Sequence, residues 1–287
     1  PSKIEDDDFR IRVGEGKNAY DISVLNISGT SFGSISPKAI QSFSSGAKKG
    51  GFAHNTGEGS LSKYHQQGGG DTIWQISTGY FGCRTKDGRF DEKQFVEKGL
   101  NLLKTGCCIL DVGGESTRPG AREVTSSEEI ERVVGIIKKI KKYSPSAIIS
   151  IDTRKAIVAD KALQAGASIV NDISAGSFDK KMFGVVAKHK AGICLMHSQG
   201  LPENMQDNPY YENVLLDIYD YFEEKITEAE SKGISREKIM IDPGIGFGKS
   251  FSHNMEIIKK ASLFLGLGCP LMIGVSRKSF IGEIISE

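Results

Sequence analysis

With 287 residues, 38% of them hydrophobic and 25% charged, the chain has enough apolar material for one large α/β domain or two ordinary ones. A net charge of +1 excludes a nucleic acid or an anionic membrane held by bulk electrostatics. No run of about 20 apolar residues exists to cross a membrane, and no signal-peptide pattern opens the chain.

The front of the chain is polar and rich in glycine. It offers the strand-like "DISVLNISGTSFG", the helix-like "PKAIQSFSSGAKKG", then "GFAHNTGEG" and, after the loop "GGGD", the strand-like "DTIWQISTGYFG". At "TKDGRFDEKQFVEKG" the character changes, and from residue 91 one unit repeats. The helical stripe of Phe95, Val96, Leu100 and Leu103 precedes "CCILDVGGEST". Helix-like "SSEEIERVVGIIKKIKKY" then precedes "AIISIDT", and "KAIVADKALQAG" precedes "SIVNDIS". The cycle continues through "GICLMHS", the long helical stretch "VLLDIYDYFEEKITEAESKG", "IMIDPGIG" and "PLMIGVS".

Short apolar runs between helices are the pattern of strands buried on both faces of a parallel sheet. Polar residues end every run, and no GxGxxG opens the first turn, so a (β/α)8 TIM-type barrel fits better than a doubly wound sheet. Six staves lie in the segment 91–287. The segment 1–90 is expected to supply two more, any strand left over being decoration.

In a parallel barrel all strand ends meet at one mouth. Those ends carry Asp111, Asp152, Asn171, Asp172, His197, Asp242, Ser276, Arg277 and Lys278. Carboxylates and an amide suit a donor-rich ring such as an aminopyrimidinone, and lysine and arginine suit carbonyl oxygens and phosphate. The loop "GGESTRPGA" adds Thr117 and Arg118. "DPGIGFGKS" is not a P-loop, because Pro243 stands where that pattern needs glycine. The histidines lack zinc-ligand spacing, and the five cysteines form no CxxC pair, which fits reduced thiols in a cytoplasmic protein. The chain opens on Pro1 and stops within a helix-like stretch, as a piece of a longer protein would.

On the motifs "ILDVGGESTRPGA", "SIDTRK", "IVNDIS", "LMHSQG", "IDPGIGFGK" and "GVSRKSFIG", residues from about 90 to 287 closely resemble dihydropteroate synthase, a transferase of folate biosynthesis. The resemblance implies condensation of 6-hydroxymethyl-7,8-dihydropterin pyrophosphate with p-aminobenzoate, releasing pyrophosphate. It further implies that Asp152, Asn171, Asp242 and Lys278 hold the pterin, Lys278 and Asp242 being the catalytic pair, and that Met196 lines the slot. Thr117, Gly246, Phe247 and Ser276 would border p-aminobenzoate, and Arg118 would serve the pyrophosphate. A homodimer and Mg2+ carried with the pyrophosphate are also implied.

On "SFGSISPKAIQSFSSGAKKGGFAHNTGEGSLSKYH" and "GGGDTIWQISTGYFGCR", residues 1 to about 90 resemble the beginning of the FMN-binding barrel of the glutamate synthase family. The chain thus reads as a fusion of a 1–90 segment with a 91–287 pterin-binding segment. In place of the synthase's first strand stands "NISGTSF", in which Asn26 is the candidate stand-in for an asparagine that helps hold magnesium pyrophosphate. The final strand of that family lies beyond residue 287. Pterin binding is expected to outlast these losses better than turnover. The alternatives are an FMN-binding oxidoreductase fragment and a chimeric barrel without function.

Overall fold

The structure, a computed structural model, describes residues 10–13, 20–23, 25–27, 36–57, 61–76, 83, 85, 87, 90–104, 107–116, 123–199 and 209–274. A hairpin of β1 (Arg10–Val13) and β2 (Tyr20–Ser23) comes first. The rest of the front alternates β3 (Leu25–Ile27), α1 (Pro37–Gly50), β4 (Ala53–Asn55), α2 (Lys63–Gly68) and β5 (Asp71–Ile76). After α3 (Glu92–Lys104) come β6 (Cys107–Gly113), α4 (Ser126–Tyr143), β7 (Ile148–Asp152), α5 (Ala156–Gln164) and β8 (Ile169–Asp172). Then follow α6 (Met182–His189), β9 (Gly192–Met196), α7 (Val214–Ser231), β10 (Ile239–Asp242), α8 (Phe251–Lys259) and β11 (Leu271–Ile273).

Local chemistry sets the helix ends. Ser36 Oγ accepts from Ala39 N–H, with Pro37 at the first helical position of α1, and Gly51 closes that helix at φ 63°. Thr125 caps α4 in the same way, with Glu128 and Glu129 in the first turn and Lys141 and Lys142 in the last, complementing the helix dipole.

The strands β3 to β11 pair in parallel around a closed barrel, with β11 beside β3 and β9 beside β10. The count of eight staves is therefore corrected to nine. The front contributes three, because "LNI", "AHN" and "DTIWQI" all pair into the wall. Two of these have only three residues, too few for hydrophobic periodicity to mark them. The decoration is the β1–β2 hairpin. Tyr20 packs against the apolar floor of the barrel, and its hydroxyl donates to Asp71 Oδ2 at the start of β5 (2.6 Å).

Two apolar layers result. The outer one lies between barrel and helices and includes Trp74, Leu110, Val112, Ile149, Ile151, Val170, Ile193, Leu195, Ile239 and Ile241. The inner one is a floor of Ala53, Ile73, Ile109 and Ile148, with Ile169 and Met240 beside it. Because side chains alternate along a strand, each step of two residues above the floor enters the interior again. On β6 to β10 those steps reach Asp111, Ser150, Asn171, Cys194 and Asp242, and further up Gly113, Asp152 and Met196.

The seam between the two halves is packed. Trp74 of β5, 1% exposed, lies 5.8 Å from the Phe95 ring of α3. A Cβ added at Gly99 would stand 3.4 Å from the same indole.

Candidate functional site

The interior above the floor is a polar wall built by adjacent strands. Gly113 pairs with Asp152, Asp152 with Asn171, Asn171 with Cys194, and Met196 with Asp242. Four residues expected at the mouth thus occupy one continuous arc. Gly113 leaves room for its neighbour, since a Cβ there would stand 3.4 Å from Asp152 Cβ. Cys194 lies among the carboxylates. Burial and then the charges of Asp242, Asp111, Asp172 and Asp152 push its thiol well above the usual range.

Asp111 lies deeper, opposite Ser150. It is 4% exposed, and burial, only partly offset by the nearby polar side chains of Ser150 and Asn171, lifts its pKa to about 6. Asp172 faces its own loop instead. Its Oδ1 accepts from the N–H and hydroxyl of Ser174 and its Oδ2 from Gly176 N–H, so this carboxylate shapes the turn after β8.

Asp242 ends β10, where its Oδ1 accepts from Gly244 N–H (2.8 Å). The loop after it carries Gly246 and Phe247, both half-buried, and packs tightly on the loop after β9. Gly244, at φ 67°, would bring a Cβ to 1.9 Å from His197 O, and Gly248, at φ 64°, would bring one to 2.4 Å from Gln199 O. Glycine is required at both positions on two counts. Lys249, 3% exposed, donates to Phe247 O (3.0 Å) and meets His197 Nδ1 at 2.9 Å. Burial and then this ammonium hold His197 down at about 2, so it is neutral and accepts at Nδ1. His197 is therefore a structural partner that joins two mouth loops.

A second buried cluster includes Glu115 and Val124, which stand on either side of residues 117–122 in the sequence. Lys155 reaches Glu129 Oε2 (2.9 Å), Glu115 Oε1 (3.0 Å) and Val124 O (2.6 Å), while Val124 N–H donates to Glu115 Oε1 (3.0 Å). Arg154 joins at Glu115 Oε2 (3.4 Å) and stacks on the Phe178 ring. Sequence reasoning passed over Lys155 and Lys249. Their only signal was a charged residue inside a motif otherwise assigned to ligand binding.

The expected site residues Thr117, Arg118, Ser276 and Lys278, together with Arg277, lie outside the described residues. Asn26 is placed, and it differs from the expected stand-in. Its Oδ1 accepts from Ala53 N–H (3.0 Å) and its Nδ2 donates to Ser23 O (2.6 Å), so the amide joins β3 to the backbone on either side. Among the described residues no group of three or more His, Cys, Asp or Glu could hold a metal. Nothing among the described residues supports the FMN alternative.

A closed parallel barrel with carboxylates and an amide clustered at its mouth defines the class of this protein. Residues 83–287 match the family described as "Pterin binding enzyme", and the chain belongs to that family. Residues 8–98 match a conserved region of glutamate synthase. The chain is 41% identical over 192 residues to dihydropteroate synthase of Synechocystis, covering 67% of this chain and 66% of that protein. It is 40% identical over 185 residues to the Escherichia coli K12 enzyme, covering 64% and 65%. It thus spans slightly less than two thirds of these relatives' length. The structure of Xanthomonas albilineans dihydropteroate synthase with 4-aminobenzoic acid aligns at a TM-score of 0.65 and 34% identity, covering 75% of each chain.

Proposed function

We propose that this chain is a dihydropteroate synthase-type transferase that binds a pterin in the barrel mouth and carries out the condensation slowly. The arc formed by Asp152, Asn171, Met196 and Asp242 on four adjacent strands carries this reading. Two carboxylates and an amide accept N–H bonds from an aminopyrimidinone edge, and the Met196 side chain, 5% exposed, supplies an apolar surface beside it. In this reading Lys278 completes the pterin contacts. Gly246, Phe247, Thr117 and Ser276 border p-aminobenzoate, and Arg118 meets the departing pyrophosphate.

The reaction breaks the bond between the pterin methylene carbon and the pyrophosphate oxygen. It forms a carbon–nitrogen bond to the arylamine, which then gives up a proton. The protein contributes position and field: the carboxylate arc stabilises positive charge that develops on the pterin as the pyrophosphate leaves. Slow turnover follows from the front of the barrel. Asn26 is held by the backbone, so the anion side of the site lacks that contact, and catalysis tolerates misplacement less well than binding does.

Calorimetric titration with a pterin pyrophosphate analogue tests the binding, and incorporation of labelled p-aminobenzoate tests the condensation. Binding with turnover well below that of the relatives is expected. A folded sample that gives no heat would overturn the reading.

A further inference from the structure

Asn254 belongs to α8, but its side chain serves the loop after β10. It is 2% exposed. Its Oδ1 accepts from Gly246 N–H (2.8 Å), and its Nδ2 donates to Ser250 O (2.9 Å) one helical turn back and to Lys249 O (3.4 Å). A backbone N–H only donates and a carbonyl only accepts, so these partners fix which end of the amide faces which way. The loop it holds has little stiffness of its own. Gly244, Gly246 and Gly248 take φ of 67°, 78° and 64°, and glycine has the widest choice of backbone conformations. Between the last two stands Phe247, half-buried, while Ile245, Gly248 and Lys249 are buried. Its N–H donates to Gly244 O (3.0 Å), and its carbonyl accepts from Lys249 Nζ (3.0 Å). Those bonds lie within the loop, whereas the bond from Asn254 ties the loop to a helix.

We propose that Asn254 is a positioning residue for the second substrate: by holding the peptide ahead of Phe247 against α8, it sets the ring that borders p-aminobenzoate. This rests on the function proposed above and deepens it. Under that reading Phe247 touches the substrate, and Asn254 acts through it. The pterin arc ends at Asp242, whose Oδ1 is bound at Gly244 N–H, ahead of the held peptide. The expected consequence is a split, in which loss of the bond between Asn254 and Gly246 weakens the arylamine side and spares the pterin side.

Two substitutions separate the two ends of the amide. Asn254→Ser removes the acceptor for Gly246, while a serine hydroxyl within a helix reaches the carbonyl four residues back, which here is Ser250 O. Asn254→Asp keeps an acceptor for Gly246 and gives up the donor to Ser250 O. The first test needs no ligand. Hydrogen exchange at the Gly246 amide, followed by NMR, should be slow in the wild type and in Asn254→Asp, and at least about 10-fold faster in Asn254→Ser. An amide that exchanges alike in the wild type and Asn254→Ser, or that opens in Asn254→Asp, overturns the proposal. Should one variant fail to fold, the other still decides.

The second test is calorimetric titration with a pterin pyrophosphate analogue and then, with that analogue saturating, with p-aminobenzoate. Asn254→Ser should weaken p-aminobenzoate about 5- to 10-fold and the analogue less than about 2-fold, and Asn254→Asp should leave both within about 2-fold of the wild type. Ile257→Val, which trims buried packing on the same helix, should leave the ratio of the two affinities unchanged. Equal losses for both ligands in Asn254→Ser, or an equal loss of p-aminobenzoate in Ile257→Val, would reduce Asn254 to general stability and overturn the role. A wild type that binds the analogue and no p-aminobenzoate overturns it too. A wild type that binds neither ligand overturns the function proposed above, and hydrogen exchange then shows by itself whether Asn254 holds the turn.

Discussion

Asp152 and Asp242 stand one strand beyond either end of the pair formed by Asn171 and Cys194, so under the proposed function each would meet a different part of a bound pterin. Asp152→Asn and Asp242→Asn should each weaken pterin binding about 10- to 100-fold, the scale of a lost charge-assisted hydrogen bond, as measured by calorimetry. Lys155 acts on stability instead. Replacing it with Met strands Glu129, 0% exposed, and Glu115 without their shared cation, and should cost about 3–5 kcal/mol in denaturant unfolding. His197 makes stability depend on pH. Folded, it stays neutral down to about 2, whereas an unfolded histidine titrates near 6.5. Its contribution is therefore complete above about 6.5 and is lost as pH falls from there toward the folded value. The stability gap between wild type and His197→Gln should narrow by up to about 1.4 kcal/mol per pH unit below that point, measured by urea unfolding at several pH values. Asp152, Asn171 and Asp242 were legible as ends of apolar runs. The roles of Lys155 and Lys249 were not, because a buried lysine declares itself only through partners 26 to 52 residues away.

At the scale of elements, the rear strands were legible and two of the front ones were not, for one reason. Runs such as "IISID" are long enough to expose a pattern, whereas "LNI" and "AHN" belong to the wall through backbone pairing alone. The apolar runs concealed a further detail. Asp111, Ser150 and Cys194 sit within strands that read as uniformly buried, and only the alternation of faces separates the interior from the helix side. The loops after β9 and β10 behave as one unit, joined by Lys249 and by the close approach of Gly244. Gly244→Ala adds a Cβ against a carbonyl at a left-handed φ. It should cost at least about 1–2 kcal/mol and, under the proposed function, weaken ligands of the p-aminobenzoate site through displacement of Phe247. Thermal unfolding and titration with a sulfonamide would check both.

At the scale of the whole molecule, both halves build one wall. Trp74 comes from the front and packs on Phe95 and Gly99 from the rear, and it is the only tryptophan in the chain. Its fluorescence therefore reports the seam, and it should change in the same transition as far-ultraviolet circular dichroism. Two separated transitions would show halves that unfold independently. Two resemblances run together in the sequence near residue 90, where the matched regions 8–98 and 83–287 overlap. That strands from both sides of it share one continuous ring was not legible, since pairing between distant strands leaves no local trace. The ninth stave has a geometric consequence. Neighbouring strands keep a spacing of about 4.8 Å however many there are, but the diameter grows with their number. Distances along the arc from Asp152 to Asp242 are therefore those of any such barrel, while the span to the opposite side widens by roughly an eighth. A ligand that leans on one side keeps its grip, and one that must bridge the opening is left short.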